Sequence, residues 1–212
     1  MRMYWVRHGV TAWNEEGRFQ GKRDIPLNAR GREQARRVGE AFGARALDHV
    51  YASPLSRARE TAEAVAYRLG LSVELLPCAA EIDHGEWEGL LAADVAQRWP
   101  ELLRRWHETP QDVRMPGETG ESLEDVLCRA KDALGYMQRR GGREVLFVAH
   151  DAVLKVLLCH LLEMPLSGFW KFQLGNGSIT VLEERLGKWR FSVIGDMCHM
   201  GDPFLREEQK GL

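Results

Sequence analysis

Arg7 and His8 follow directly on the apolar run Met3-Tyr4-Trp5-Val6. Arg57 comes shortly after the run Leu47 to Ala52, and His150 stands at the end of Val145 to Ala149. Brought together, two guanidinium groups and two imidazoles make an electropositive pocket. A guanidinium is a rigid planar fork that grips carboxylate or phosphate with two parallel hydrogen bonds. An imidazole beside such forks can react with the anion they hold. The stretches around these residues contain no Gly-rich phosphate loop and no metal-ligand spacing. Each residue also has an ordinary explanation. A histidine after a strand is commonly a satisfied polar group, and Arg57, in Ser56-Arg57-Ala58-Arg59-Glu60, has the sequence of an exposed helical arginine paired with a nearby glutamate. His160 lies beside Cys159 on an apolar helix with no second ligand at useful spacing, and His49 and His107 have no supporting context.

The elements that would carry these residues alternate between strand and helix. The first apolar run reads as a strand, followed by a polar loop through Asn14, Gly17, Gly21 and Pro26. Asn28 stands at an N-cap position before a helix to Gly43, with Ala35, Val38 and Phe42 on one face. Leu47 to Ala52 reads as a second strand, Arg57 to Leu69 as a helix ended by Gly70, and Ser72 to Leu76 as a third strand stopped by Pro77. Two short helical segments, Leu90 to Trp99 and Glu101 to His107, lead into the Pro/Gly-rich stretch Thr109 to Gly120, a helical insert over about 87–120. Ser122 and Asp125 form a capping box before a helix with Leu123, Val126, Leu127, Ala130, Leu134 and Met137 on one face. Val145 to Ala149 is apolar throughout, as a strand covered on both faces must be, and Ala152 to Leu162 is an apolar helix. Ser178 to Glu184 and Trp189 to Ile194 flank the turn Leu186-Gly187-Lys188 as a hairpin. The fold class expected is α/β: a three-layer sandwich with a mostly parallel central sheet, an antiparallel edge strand, helices on both faces and a small helical insert. Ligands of open α/β sheets bind at the carboxyl ends of the strands, where all three junctions would meet.

The words around the junctions are more specific than their positions. Val6-Arg7-His8-Gly9-Val10-Thr11, with Trp13-Asn14 behind it and Gly17-Arg18-Phe19-Gln20-Gly21-Lys22-Arg23-Asp24-Ile25-Pro26-Leu27 after it, resembles the histidine phosphatase superfamily, the phosphoglycerate-mutase-like group. The resemblance continues through Tyr51 to Ala62, Glu81 to Gly89 and Val148-Ala149-His150, four motifs in family order over most of the chain. It implies a nucleophile at His8. Arg7, Arg57 and His150 would lie around the phosphoryl oxygens, Glu81 would be the proton donor, and Asn14, Gln20 and Gly21 would contact phosphate or substrate. The form Glu81-Ile82-Asp83-His84-Gly85 with Trp87-Glu88-Gly89 resembles the phosphatase branch rather than the cofactor-dependent mutases. Together with Cys198-His199-Met200-Gly201 it is similar to metal-independent phosphoserine phosphatases, which would give His84 and His199 a part in recognising a substrate carboxylate. Similar C-terminal segments occur in phosphatases of sugar phosphates and of α-ribazole phosphate. Two positions depart from the family pattern. Val10 replaces a polar residue, and Asp151 follows His150, where it would raise the pKa of that ring or, as favoured here, cap the next helix.

The implied chemistry suits these residue types. Phosphoryl transfer passes through a loose transition state with charge spread over three equatorial oxygens, which two guanidinium groups and an imidazolium neutralise without a metal or cofactor. A protonated carboxyl at Glu81 would donate to the leaving alkoxide and then take a proton from water, a task that wants a raised pKa. The expected substrate is a small phosphorylated metabolite. A non-catalytic phospho-ligand module on the same fold is the reading from another class.

Composition narrows the rest. A net charge of −2 argues against broad nucleic-acid or membrane-surface binding. No apolar run reaches the roughly 18 residues of a membrane span, and no signal-peptide core follows the start. Four scattered cysteines suit reduced thiols in a cytoplasmic protein. The length fits one domain over 1–212, and a homodimer through an exposed sheet edge stays open. Arginine outnumbers lysine 23 to 6, a bias that mostly reflects solvated surface.

Overall fold

A computed structural model describes residues 1–43 and 45–201; the expected domain over 1–212 runs past it, with 202–212 outside the described residues. Six strands form one sheet: β1 (Arg2–Arg7), β2 (His49–Ala52), β3 (Val73–Leu75), β4 (Glu144–Ala149), β5 (Ile179–Arg185) and β6 (Lys188–Asp196), in the order β3-β2-β4-β1-β5-β6. The first four of that order are mutually parallel, and β5 and β6 are added antiparallel. Helices α2 (Ala29–Phe42) and α3 (Ser56–Leu69) pack on one face, α6 (Leu123–Arg140) and α7 (Asp151–Leu161) on the other.

Alternation along the strands divides the core in two. Tyr4 and Val6 of β1 and Leu146 and Val148 of β4 face α2 and α3, against Val38, Phe42, Ala62 and Val65. Met3, Trp5, Val145 and Phe147 face α6 and α7, against Val126, Leu134, Met137 and Leu157. Burying each large apolar side chain contributes about 1.5–3 kcal/mol, so the central strands hold the sheet. The local signals act as expected. Asn28 accepts from the Gly31 amide at 2.8 Å, and Ser122 and Asp125 close a capping box. Leu186 (φ 53°) and Gly187 (φ 73°) make a two-residue turn between β5 and β6, with both residues left-handed as a type I′ hairpin turn requires. Cys78, Cys128, Cys159 and Cys198 are all free.

Two features bear on the site, the first not expected from the sequence. The loop after β1 contains a five-residue helix, α1 (Ala12–Glu16), too short for periodicity to reveal and built on a Thr11–Asn14 capping box. Between β3 and α6 the chain folds into α4 (Ala92–Arg98), α5 (Pro100–Glu108) and three single 3-10 turns, with Trp87, Val95, Trp106, Val113 and Met115 buried in the larger core. Phe19 from the β1 loop packs against Trp87, ring centroids 5.0 Å apart, so this segment closes over the carboxyl end of the sheet. Among the described residues no helix is long and apolar enough to cross a membrane.

Candidate active site

The parallel register of β1 and β4 aligns Arg7 with Ala149, and the ladder continues as the His8 amide donates to the Ala149 carbonyl at 3.1 Å. The next residue of each strand is therefore a histidine, with ring centroids 5.1 Å apart. On the other side of β4, β2 ends at Ala52, and Ser53 donates its amide to the Val148 carbonyl. The Ser53 hydroxyl then lies 2.7 Å from His150 Nε2.

His8 is buried, and its Nδ1 lies 2.6 Å from the Gly9 carbonyl. A carbonyl only accepts, so Nδ1 carries the proton and Nε2 keeps its lone pair. Burial, then the charges of Arg57 and Arg7, hold the His8 pKa well below that of a free imidazole. Gly9 is required here. A Cβ on it would lie 2.5 Å from the Gly31 carbonyl oxygen, and one on Gly31 would overlap the Val10 carbonyl, so α2 packs backbone to backbone behind the nucleophile.

Arg57 leaves the first turn of α3 and is 1% exposed, which overturns the reading of it as a solvated helical arginine. Its Nη1 donates to the Arg23 carbonyl and its Nη2 to the Gly21 carbonyl, both at 2.8 Å, so Nε points at His8 Nε2, 3.3 Å away. Burial lowers its pKa to about 10, leaving it a cation at neutral pH. Arg7 donates through Nη1 to the Leu174 carbonyl at 2.6 Å and lies 3.3 Å from Asp151 Oδ1. Arg7 Nε and His150 Nδ1 are buried and have no hydrogen-bond partner within the protein. Unpaired buried polar atoms are costly, and a bound anion would satisfy both.

Asp151 is not a cap. His150 occupies the N-cap position of α7 without a side-chain bond, and Asp151 is its first residue, buried between Arg7 and Lys155 Nζ at 2.6 Å. Lys155 itself is 1% exposed and sits over the Phe169 and Trp170 rings, at 5.0 and 4.7 Å. Nor is His150 held cationic. Burial, and then Arg57, push its pKa well below the ordinary value. Glu81 lies 3% exposed in the loop after β3; burial raises its pKa, and Asp151 adds to the rise against Arg57 and Arg7.

The remaining predicted residues fall in three places. Gln20 is buried and accepts from the Thr11 hydroxyl at 2.8 Å, Gly21 (φ 55°) backs onto Glu88, and Asn14 spends its oxygen on the α1 cap. All three belong to the loop that Arg57 ties down; Arg23, in the same loop, is 68% exposed and pairs with Glu88 at 3.4 Å. Val10 is buried, with its amide on Gln34. His84 is not positioned as a charged carboxylate ligand. Its ring packs against Phe19, Trp87 and Trp106, and burial lowers its pKa to about 3. His199 lies outside the clamp. Its Nε2 is 3.0 Å from the Gly177 carbonyl, and the Gly177 amide donates in turn to the Arg7 carbonyl, so it braces the backbone behind the clamp. Sequence reasoning gave no site role to Ser53, nor to Thr61, which accepts from the Gly9 amide at 3.1 Å and donates to the Arg57 carbonyl at 2.7 Å. It also missed Asn176, whose side chain donates to the His8 carbonyl at 3.0 Å. Among the described residues, no three His, Cys, Asp or Glu side chains cluster as metal ligands.

The model of the histidine phosphatase superfamily, branch 1, matches residues 3–197. The chain belongs to that superfamily. This histidine phosphatase homologue is 35% identical over its whole length to phosphoserine phosphatase 1 of Hydrogenobacter thermophilus, with both chains fully covered. It is 32% identical to a probable phosphoglycerate mutase of Salmonella newport, over 99% of this chain and all of the relative. The mycobacterial glucosyl-3-phosphoglycerate phosphatase superposes with a TM-score of 0.84 at 30% identity, covering 92% of this chain and 98% of that one. The superfamily's relatives thus carry phosphatase names on several substrates, beside a mutase name.

Proposed function

We propose that the protein is a phosphomonoesterase that hydrolyses a small phosphorylated metabolite through a phosphohistidine at His8, without a metal or cofactor. The observation that carries this is the setting of His8: Nδ1 on the Gly9 carbonyl, and Nε2 unprotonated beneath the Arg57 guanidinium. In the first step the Nε2 lone pair forms the N–P bond as the P–O ester bond breaks. The alkoxide leaves with the Glu81 proton. In the second, water attacks phosphorus, the N–P bond returns its electrons to Nε2, and the Glu81 carboxylate accepts the proton from water. Arg7 and Arg57 supply fixed positive charge to the equatorial oxygens. Burial and the Arg57 charge favour the neutral form of His150, and a bound dianion would provide the opposite charge that favours its protonation.

Phosphoserine is the first substrate to test, because the 35%-identical relative carries that name over the full chain. Sugar phosphates, 3-phosphoglycerate and α-ribazole phosphate complete the screen. The second reading, a mutase, is favoured by the relative named as one. Phosphate release from the four compounds and from p-nitrophenyl phosphate, in EDTA, with acid-quenched capture of phosphoenzyme, decides between them. Hydrolysis with a phosphohistidine is expected. Conversion of 3- to 2-phosphoglycerate well above hydrolysis would establish the mutase, and no release and no phosphoenzyme would leave a binding module. Glu81→Gln should slow an alkyl phosphate by roughly 10²–10⁴-fold and largely spare the aryl ester, whose leaving group needs no proton.

A further inference from the structure

Glu81 sits on a stretch that no regular element holds. A single 3-10 turn, Pro77–Ala79, precedes it, and residues 80–84 are neither helix nor strand. What fixes this backbone is one side chain from the middle of α6. Arg129 donates through Nη1 to the carbonyls of Cys78 (3.0 Å) and Ala80, and through Nη2 to the carbonyl of Glu81 itself at 2.9 Å. The remaining edge of its guanidinium faces Glu121, Nε to Oε1 at 2.9 Å and Nη2 to Oε2 at 2.8 Å. Glu121 grips the other side of the acid: Oε2 accepts the Asp83 amide at 2.9 Å, and the Glu121 amide donates to the Asp83 carbonyl at 3.0 Å. Ile82, between the two grips, is fully buried. Both charged side chains are largely covered, 18% and 14% exposed, where fork-to-fork pairs hold geometry tightly.

We infer that the Arg129–Glu121 pair is the positioning device for the proton donor, fixing the backbone that presents the Glu81 carboxyl to the leaving oxygen. This rests on the assignment of Glu81 as acid. No hydrogen bond links either partner to His8, Arg7, Arg57 or His150, which hang on β1, α3 and the β4–α7 junction. Loss of the pair therefore degrades leaving-group protonation while phosphoryl capture survives. Displacing a catalytic group by about 1 Å costs on the order of 10²-fold.

The test compares kcat/KM for p-nitrophenyl phosphate and for the alkyl phosphate turned over fastest, in the wild type, Glu81→Gln, Arg129→Lys, Arg129→Met and Glu121→Gln. All rates are normalised to the phosphoenzyme burst, so inactive protein drops out. Arg129→Lys is the decisive variant. It keeps the positive charge that acts on His150, yet a single ammonium cannot reach all the acceptors the guanidinium serves. The expected result is a fall of about 10–100-fold on the alkyl ester with less than about threefold on the aryl ester, a weaker copy of Glu81→Gln. Equal loss on both esters in Arg129→Lys, with Glu81→Gln still discriminating between them, overturns the positioning role alone. If Glu81→Gln itself treats both esters alike, the acid assignment fails and the positioning role with it.

Discussion

Replacing Arg57 with alanine should slow phosphorylation of His8 about a thousandfold. The magnitude follows from where the guanidinium stands. Its Nε is 3.3 Å from His8 Nε2, so a phosphorus bonding at Nε2 carries its equatorial oxygens to within about 4 Å of the positive charge. At the effective dielectric of about 20 that suits such sites, one pair of unit charges at that distance is worth about 4 kcal/mol, or roughly 10³ in rate. Loss of a single preorganised donor typically costs 10²–10³, which agrees. Arg57→Lys should recover little, because an ammonium on a flexible stem cannot donate to the Gly21 and Arg23 carbonyls while aiming a third donor at His8. A second signature accompanies the rate. After burial, the Arg57 charge is the largest cause of the depressed His8 pKa, so removing it raises that pKa. A protonated Nε2 cannot attack, and the acid limb of the phosphorylation rate therefore moves to higher pH in Arg57→Ala. Rapid-quench capture of phosphoenzyme across pH 4–8 reads both effects. A slowing of less than about tenfold, or an acid limb that stays in place, would refute the assignment of Arg57 to the transition-state charge.

Substitutions at three further positions have expected outcomes. Asp151→Asn removes a negative charge that helps raise the Glu81 pKa, so the basic limb of alkyl-ester hydrolysis should move to lower pH. The same change strands buried Lys155 and should cost about 3–5 kcal/mol in urea melts, most of it recovered in Asp151→Asn/Lys155→Met. Because the folded-state pKa of His84 (about 3) lies below that of an unfolded histidine, the unfolded chain takes up the proton first, and stability falls as pH drops below about 6.5. His84→Phe should remove about 2 kcal/mol of the stability lost between pH 7 and pH 5, measured as the difference in denaturation slopes. Gly31→Ala pushes a methyl into the Val10 carbonyl; activity should fall with α2 still folded by circular dichroism, and unchanged kcat would show that the Gly9–Gly31 contact does not hold the nucleophile.

The sheet was readable because its strands are short apolar runs bounded by turn residues, and the clamp because Arg7, His8, Arg57 and His150 stand in motifs that resemble the histidine phosphatase superfamily. Hidden were the contacts that make those residues work. Asp151 follows a histidine and precedes an apolar helix, which matches a cap; only the fold brings Arg7 and Lys155 to its carboxylate. His84 shares a motif with Glu81, yet its side chain turns into an aromatic cluster whose members come from three separated segments. Arg129 lies in the middle of α6 and Glu121 just before its N-cap Ser122, and neither stands in any of the motifs that the sequence singles out. Their targets lie some 40–50 residues away in sequence, and no local pattern records a hydrogen bond to a distant carbonyl.

The pairing of β1 with β4 has a consequence for how the protein is made. β1 is made before its partners at residues 144–149 and 179–183, and among the described residues nothing nearer in sequence pairs with it. Until residue 150 has emerged, Met3 to Val6 is an apolar β-prone segment without a sheet, and the loop-closure entropy of more than 130 residues stands between it and its place. Topologies of this kind fold slowly and expose such segments to aggregation on the way. The nucleophile, one residue beyond that strand, is synthesised more than 130 residues before the strand that sets its place.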